Sequence, residues 1–112
     1  MTQLTGFKLD NQGAYIEKDP EAELDYTIDW TDWMVPNDEI STSTWSFQTF
    51  AGDAAPLTEY DSSYINTVSD RTTVYISGGT SGRSYRVTNT ITTVSGLTDQ
   101  RYFRLFLRDR TL

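Results

Sequence analysis

Residues 24–33 read LDYTIDWTDW, and the spacing of their side chains predicts how this stretch folds. Apolar residues fall on every second position from Leu24 to Trp30, and Asp25 and Asp29 occupy positions between them. A period of two is typical of a β-strand with one face in a core and the other in solvent. Four strand residues at ~3.3 Å each separate the two aspartates by roughly 13 Å, too far for the paired carboxylates of a glycosidase.

A metal site is the other chemistry that these acids suggest. Asp29, Asp32, Asp38 and Glu39 are close enough in sequence to gather round a calcium ion. The regular Asp-x-Asp-x-Asp-Gly loop is absent, however, and with it the spacing that calcium sites of this kind use. We therefore expect no metal and no cofactor, and interpret the acids as a solvated or partner-facing strand surface.

The composition bounds the class of protein. A chain of 112 residues with 37% hydrophobic content is the size of one domain with one core. We predict an N-terminal arm at residues 1–19 and a single domain at 20–112. The chain has no cysteine and no histidine, which excludes disulfides, thiolate zinc sites, Cys nucleophiles and imidazole bases, so we expect a protein that is not an enzyme. The N-terminal residues lack the pattern of a signal peptide, and no apolar run approaches ~20 residues, so a soluble protein is expected.

Charge is divided unequally along the chain. Residues 1–61 hold thirteen acidic side chains and two lysines, whereas residues 62–112 hold seven arginines and three aspartates. Two interpretations follow: the halves pack together in one fold, which we favour, or an acidic face of one copy meets a basic face of another. Both can hold together. The overall charge of −7 opposes nucleic-acid binding, and we expect neither nucleic acid nor membrane as a partner.

Further strands are predicted at residues 41–50, 71–79, 83–94 and 100–110, with a long connection at 51–63. Six or so short strands with no helical period predict an all-β fold. We expect an immunoglobulin-like or fibronectin-like β-sandwich of about 6–7 antiparallel strands, preceded by the extended arm. The last two strands are expected to form a hairpin, in which Tyr85 either closes the corner before its strand or packs as an ordinary core aromatic.

The charge division suggests one specific strand pairing. In such a sandwich the first strand commonly lies beside the last, which would set Asp25 and Asp29 against Arg104 and Arg108. Each pair of such a ladder would contribute ~0.2 to 1 kcal/mol. This pairing is a hypothesis that the structure tests below.

Four blocks in order, KDPEAELDYTIDWTDWM, STSTW, VYISGGTSGRSYRVTNTITT and LTDQRYFRLFLRDR, carry a resemblance to a known family. Together, over roughly Lys18 to Arg110, they resemble the small virion proteins of tailed bacteriophages described as phage fiber-tail adaptors. The resemblance implies a non-enzymatic structural subunit of the phage tail, made in the host bacterial cytoplasm. It also implies a role in joining tail fibers or neighbouring tail proteins to the tail, with several copies arranged around it.

Two patches are the candidate protein interfaces. The first combines Asp25, Asp29 and Asp32 with Trp33 on the acidic strand and the turn after it. The second is the outward row of the last strand, where aromatic residues alternate with arginines. Both residue types are enriched at interface centres, and the row consists of Tyr102, Arg104, Phe106 and Arg108.

An alternative function is a carbohydrate-binding module of the host-recognition apparatus. It would use Trp30, Trp33 and Trp45 as a platform for sugar rings. The strand phase of Trp30 and Trp45 favours core packing instead, and leaves Trp33 the freer of the three.

Overall fold

A computed structural model describes residues 8–10, 13–66 and 68–108, and this part of the chain forms eight β-strands in two sheets. No helix within these residues is long and apolar enough to cross a membrane. The strands are β1 (Lys8–Asp10), β2 (Gly13–Lys18), β3 (Leu24–Asp29), β4 (Ile40–Phe47), β5 (Leu57–Ile65), β6 (Arg71–Gly78), β7 (Ser84–Thr93) and β8 (Thr98–Leu107).

The two sheets enclose one hydrophobic core. The larger sheet has the order β1-β2-β8-β7-β4, and the smaller one has the order β3-β6-β5. Both sheets contribute fully buried side chains, among them Val74 and Ile76 from β6, and Val87 and Leu105 from β7 and β8. The prediction of an all-β protein is confirmed.

The hairpin of the last two strands is confirmed. β7 and β8 pair antiparallel from Ser84 opposite Phe106 to Thr92 opposite Thr98. The inward row of β8, from Phe103 to Leu107, is buried as its alternation predicted. The intervening side chains therefore lie on the outer face of the larger sheet.

Strand β3 confirms the predicted alternation of buried and exposed side chains with two exceptions. Tyr26, Ile28 and Trp30 are buried. Leu24, in the same phase, is 43% exposed, so its predicted burial is wrong: it stands at the first residue of the strand. Thr27, in the opposite phase, is also buried. Its hydroxyl is satisfied there by a 2.7 Å hydrogen bond with the hydroxyl of Thr73 on β6.

The predicted ladder between the first and last strands is wrong. β3 pairs with β6 in the smaller sheet, which sets Asp25 opposite Tyr75 and Asp29 opposite Arg71. The Asp29 carboxylate lies 3.5 Å from the Arg71 guanidinium. Arg108 was predicted to pair with an aspartate of β3, but its guanidinium lies 2.7 Å from the Glu17 carboxylate on β2. Each ion pair still joins the acidic half of the sequence to the basic half, as the favoured interpretation of the charge division expects.

The connection predicted at 51–63 is wrong over its second part, where β5 forms the edge of the smaller sheet. Only Leu57 at its start is buried, and its pairing with β6 shifts register after Glu59 and again after Asp61. An edge strand with irregular pairing and a single core residue has no apolar alternation, so the sequence carried no strand signal there.

The N-terminal segment is part of the larger sheet. β2 runs parallel to β8, with Tyr15 opposite Arg104 and Lys18 opposite Leu107. Part of the predicted arm is therefore a strand that pairs parallel with β8, whereas the six strands within 20–112 pair antiparallel as predicted. Residues 1–7 and 11–12 of the predicted arm lie outside the described residues, and the domain boundary at 19 stays a prediction.

Lys18 at the end of β2 is completely buried. Its ammonium donates hydrogen bonds to the carbonyl oxygens of Gly78 at 2.8 Å and Asp19 at 2.9 Å, with Pro20 at 3.5 Å. Burial lowers the pKa of Lys18, and the charges of Asp19 and Glu23 offset part of that effect. The side chain therefore ties β2 to the end of β6 at the cost of a desolvated charge.

The buried ammonium makes stability depend on pH. Because the folded pKa of Lys18 lies below the ordinary value of about 10.4, the unfolded chain binds more protons between those two values. The free energy of unfolding of the wild type should therefore rise relative to that of Lys18→Met between pH 7 and pH 10. Urea unfolding of both proteins at each pH measures this difference, and the tyrosines cancel because both proteins share them. A difference that stays constant or falls contradicts the prediction.

Tyr85 closes the corner between β6 and β7 and is also fully buried. Its hydroxyl accepts a hydrogen bond from the backbone N–H of Thr80 at 3.0 Å and donates one to the Asp53 carboxylate at 2.5 Å. Hydrogen bonds from Thr80 and Tyr85 lower the pKa of Asp53. Tyr85 is thus a core aromatic whose hydroxyl is also hydrogen-bonded to the connection before its strand.

A polar network crosses the core between the two sheets. The Trp30 indole N–H lies 3.1 Å from both the Thr72 hydroxyl and the side-chain oxygen of Asn89. Thr72 donates to the same Asn89 oxygen at 2.6 Å, and the Asn89 amide donates to Ser43 and to the carbonyl of Thr44, both at 2.9 Å. Asn89 on β7 therefore joins strands of both sheets.

Candidate functional site

The outer face of the larger sheet carries a row of arginines and aromatic rings. We call it the arginine–aromatic face and define it by side chains of β2, β7 and β8: Tyr15, Arg86, Tyr102, Arg104, Phe106 and Arg108. It contains the whole second patch that the sequence predicted and adds one residue from each neighbouring strand.

Contacts within the arginine–aromatic face are of the cation–π and ring-packing kinds. The Arg86 guanidinium lies 4.4 Å from the centroid of the Tyr102 ring. Arg104 lies 5.5 Å from the Phe106 ring and 5.6 Å from the Tyr15 ring. These two rings pack with centroids 5.2 Å apart. These contacts restrict the arginine side chains, which lowers the entropy that they would lose on binding a partner.

Arginines predominate on this face, and Arg108 at its end pairs with Glu17 of β2. Arg86 and Arg104 are directly opposite each other across the β7–β8 pair. Like charges in that relation destabilise a sheet. A cleft of about 480 Å³ lies at the Arg108 end of the face, between Glu17, Ser84 and Phe106.

A second face, which the sequence analysis missed, lies on the outside of the smaller sheet. We call it the acidic tyrosine face and define it by side chains of β3, β5 and β6: Asp25, Tyr60, Asp61, Tyr64 and Tyr75. The Tyr75 ring lies between the other two, 5.6 Å from Tyr60 and 6.2 Å from Tyr64. Tyr60 is 41% exposed and Tyr64 is 49% exposed, so the cluster presents rings and hydroxyls to solvent.

Acidic groups surround the tyrosine cluster. Asp25 on β3 and Asp61 on β5 are both directly opposite Tyr75, one on each side. Burial raises the pKa of Tyr75, as do a hydrogen bond with Tyr64 and the charges of Asp25 and Asp61. The pKa of Tyr60 is raised by burial and by the same two aspartates together with Glu23. The hydroxyls stay protonated at neutral pH and remain hydrogen-bond donors beside carboxylates.

The first predicted patch is split by the structure. Asp25 belongs to the acidic tyrosine face. Asp29 pairs with Arg71. Burial acts to raise the pKa of Asp29, but the hydrogen bonds from Thr31 and the charge of Arg71 outweigh it, so the pKa is lowered. Asp32 is exposed in the turn after β3.

Trp33, the remaining member of that patch, is half-buried. Its ring packs edge-on against Trp30 with centroids 5.6 Å apart, so it is more exposed than Trp30 but is packed against the core. Trp30 itself is fully buried beneath Arg101, whose guanidinium lies 4.6 Å from its ring, and Trp45 is half-buried on β4. An open platform of three tryptophans is not formed.

Two of the four acids considered for calcium, Asp29 and Asp38, are occupied by protein contacts, whereas Asp32 and Glu39 are exposed. Asp38 accepts a 2.6 Å hydrogen bond from the Ser95 hydroxyl, and the bonds from Ser95, Thr93 and the Glu39 backbone lower the pKa of Asp38. Within the described part of the chain, no group of three or more acidic side chains is placed to hold a metal ion. The arrangement is suited to binding proteins through two faces of opposite charge.

Comparison with protein families gives a match that covers most of the chain. A family model described as "Podophage GP4 fiber-tail adaptor protein gp77" matches residues 18–106. The matched range begins at Lys18 and ends at Phe106, so it contains β3 to β7 completely and both faces apart from Tyr15 and Arg108. No curated protein matches the chain.

Proposed function

The chain belongs to the podophage GP4 fiber-tail adaptor family, and from this premise we propose that it joins tail fibers or neighbouring tail proteins to the tail of a bacteriophage. The family match over most of the chain is the observation that carries the proposal. In this role the protein is a virion component, made in the bacterial cytoplasm, and several copies surround the tail.

The two charged faces are the proposed contact surfaces. Aromatic and arginine side chains are enriched at the centres of protein interfaces, and Tyr102 on the arginine–aromatic face is 46% exposed. The acidic tyrosine face offers rings with hydrogen-bonding hydroxyls, which serve the same purpose. Trp33 and Asp32 are proposed as a third, smaller contact at the end of β3.

We propose that the module acts without catalysis, cofactor or metal. Support comes from a sequence without histidine or cysteine and from acids that lie on exposed strands or pair with neighbouring side chains. Nucleic acid and membrane are not proposed partners.

An immunoglobulin-like topology is proposed for the sandwich. The order β3-β6-β5 corresponds to strands B, E and D of that fold, and β8-β7-β4 corresponds to G, F and C. Tyr85 stands near the start of the strand equivalent to F, and its hydroxyl bonds back to Thr80 five residues upstream, which is the relation of a tyrosine corner.

Deletion of the gene from the phage that encodes it tests the adaptor function. We expect particles with tails that lack fibers in electron micrographs, and recovery of fibers when the wild-type protein is supplied during infection. A purified sample should also bind at least one tail or fiber protein of the same phage. Particles that retain their fibers without this protein would contradict the proposal.

A further inference from the structure

We propose that the free edge of β4 binds an extended segment of a partner protein, which adds to the larger sheet as a further strand. The segment is uncharged and alternates apolar with small polar residues. The inference deepens the proposed function, on which it rests for the kind of partner, a tail or fiber protein. It adds where the contact forms and which groups make it.

Four strands have an edge that pairs with no other strand within the described residues. They are β1 and β4 in the larger sheet, and β3 and β5 in the smaller one. Open edges pair readily with other chains, and proteins protect them by short length, charge or irregular pairing. β1 has only three residues, and β3 carries Asp25 and Asp29. β5 carries Glu59 and Asp61 and shifts register twice, so three of the four edges are protected.

The β4 edge lacks these protections over most of its length. No charged residue lies between Glu39 and Asp53, and β4 contains neither proline nor glycine. Its register with β7 is irregular only at the start, between Ile40 and Thr42, and the pairing then continues without a break to Phe47. A regular, uncharged edge of this kind is a template for strand addition.

The register also identifies the backbone groups that face outward. The Gln48 N–H donates to the Arg86 carbonyl at 2.8 Å, which extends the β4–β7 pairing by one residue. Every second residue of an antiparallel edge strand makes such bonds. The N–H and C=O groups of Ser43, Trp45 and Phe47 therefore point away from β7, and each residue offers a partner backbone one donor and one acceptor.

The side chains of the edge indicate what the added strand should carry. Trp45, opposite the buried Asn89, and Phe47 pack against the core but are only half-buried. Apolar residues on the same side of an added strand would complete their cover. The buried Trp45 indole N–H has no hydrogen-bond acceptor within the described part of the chain, so a serine or threonine beside it is favoured. The other row of β4 is exposed, small and polar: Thr42, Thr44 and Ser46.

Thr44→Lys tests the inference at the centre of the edge. Thr44 is exposed, and a lysine there gives β4 the kind of protection that the other edges have. An added strand would lay its own side chains over the ammonium and remove part of its water, which opposes binding. Thr58→Lys is the matched control, because it makes the same change at an exposed residue of β5, an edge that is already charged and irregular.

Calorimetric titration with the purified tail and fiber proteins of the same phage, each tested alone, measures the effect on binding. For a protein that binds the wild type, Thr44→Lys should raise the dissociation constant at least ~10-fold, and Thr58→Lys should change it less than ~2-fold. Both variants should melt close to the wild type, since both substitutions are on the surface.

Hydrogen exchange followed by NMR tests the backbone contact directly. In the complex, the amides of Ser43, Trp45 and Phe47 should exchange at least ~10-fold more slowly than in the free protein. The amides of Thr44 and Ser46 already face β7 and should change less. A contact made by side chains alone would not produce this alternation.

Three results overturn the inference. Binding that is equal in Thr44→Lys and the wild type, or that leaves the three outward amides unprotected, contradicts it while the adaptor function stands. Slower exchange of these amides when the protein alone is concentrated assigns the edge to a second copy and contradicts it as well. A wild type that binds none of the tail and fiber proteins contradicts both the adaptor function and the inference.

Discussion

Replacing Asn89 by leucine is expected to lower the free energy of unfolding by about 3 to 5 kcal/mol, since buried polar groups left without partners cost ~1 to 3 kcal/mol each. Leucine has the same number of side-chain heavy atoms with the same branching, but it leaves the Thr72 hydroxyl and the Thr44 carbonyl without the amide that they contact. Asn89 and Thr72 are both fully buried, so water does not replace the lost hydrogen bonds. Melting followed by tryptophan fluorescence should show a decrease of roughly 15 °C or more.

A double variant separates the lost hydrogen bonds from the change of shape. Thr72→Val removes the hydroxyl that Asn89→Leu strands, but the two changes together also remove both acceptors of the buried Trp30 indole N–H. The free-energy change of the double variant should therefore differ clearly from the sum of the single changes. Strictly additive free energies would show that the two side chains are not coupled. That result would contradict the role of the network in joining the sheets.

Replacing Gly79 by alanine is the second large expected effect. Gly79 is buried after β6 with a φ of 97°, and an added Cβ would lie 2.6 Å from Leu107 Cγ and 3.0 Å from Leu57 Cδ2. Both leucines are buried in the core, so they can move only by displacing their neighbours. Overpacking costs ~1 to 3 kcal/mol and the left-handed backbone ~1 to 2 kcal/mol, so we expect a loss of about 2 to 5 kcal/mol.

Gly82→Ala is the matched control for Gly79→Ala. Gly82 has a φ of 87°, and a Cβ built there meets no atom within 4 Å. It should therefore lose only the backbone contribution, ~1 to 2 kcal/mol. Equal losses from the two substitutions in chemical denaturation would show that the backbone angle alone matters at Gly79 and that the packing argument is wrong.

Much of the fold could be predicted because alternation is a local property. The inward rows Tyr85, Val87 and Ile91 of β7 and Phe103 to Leu107 of β8 followed from a period of two, and the structure buries them. A strand with one buried face must place its apolar residues on alternate positions, so the buried face can be identified within a few residues of sequence.

Strand pairing could not be predicted in the same way. Alternation identifies which face of β3 is buried but not which strand lies beside it, and β6 is some forty-five residues away in sequence, as in the pairing of Thr27 with Thr73. The incorrect ladder of Asp25 and Asp29 with Arg104 and Arg108 came from choosing a neighbour by charge. Exposed ion pairs contribute too little to decide a pairing against the burial of a whole strand face.

Only one of the two faces of the candidate site could be predicted, because the other depends on how strands pair. The row from Tyr102 to Arg108 lies on one strand, so its shared face followed from spacing alone. Tyr60, Tyr64 and Tyr75 come from two strands, and the register shifts of β5 place them side by side. Residues 60–75 contain all three tyrosines and Asp61. This composition indicates a polar aromatic surface, but it does not show where on the fold that surface lies.

The sequence by itself determined the class of fold, the buried face of most strands, the absence of histidine and cysteine chemistry, and the arginine–aromatic row. Only the tertiary structure decided that β3 joins β6, that the acidic tyrosine face exists, and that the Lys18 ammonium is enclosed by backbone carbonyls. The physical reason is the distance along the sequence over which each preference acts. A side chain's preference for core or solvent repeats along neighbouring residues, whereas strand order and the environment of a buried charge depend on groups that only folding brings together.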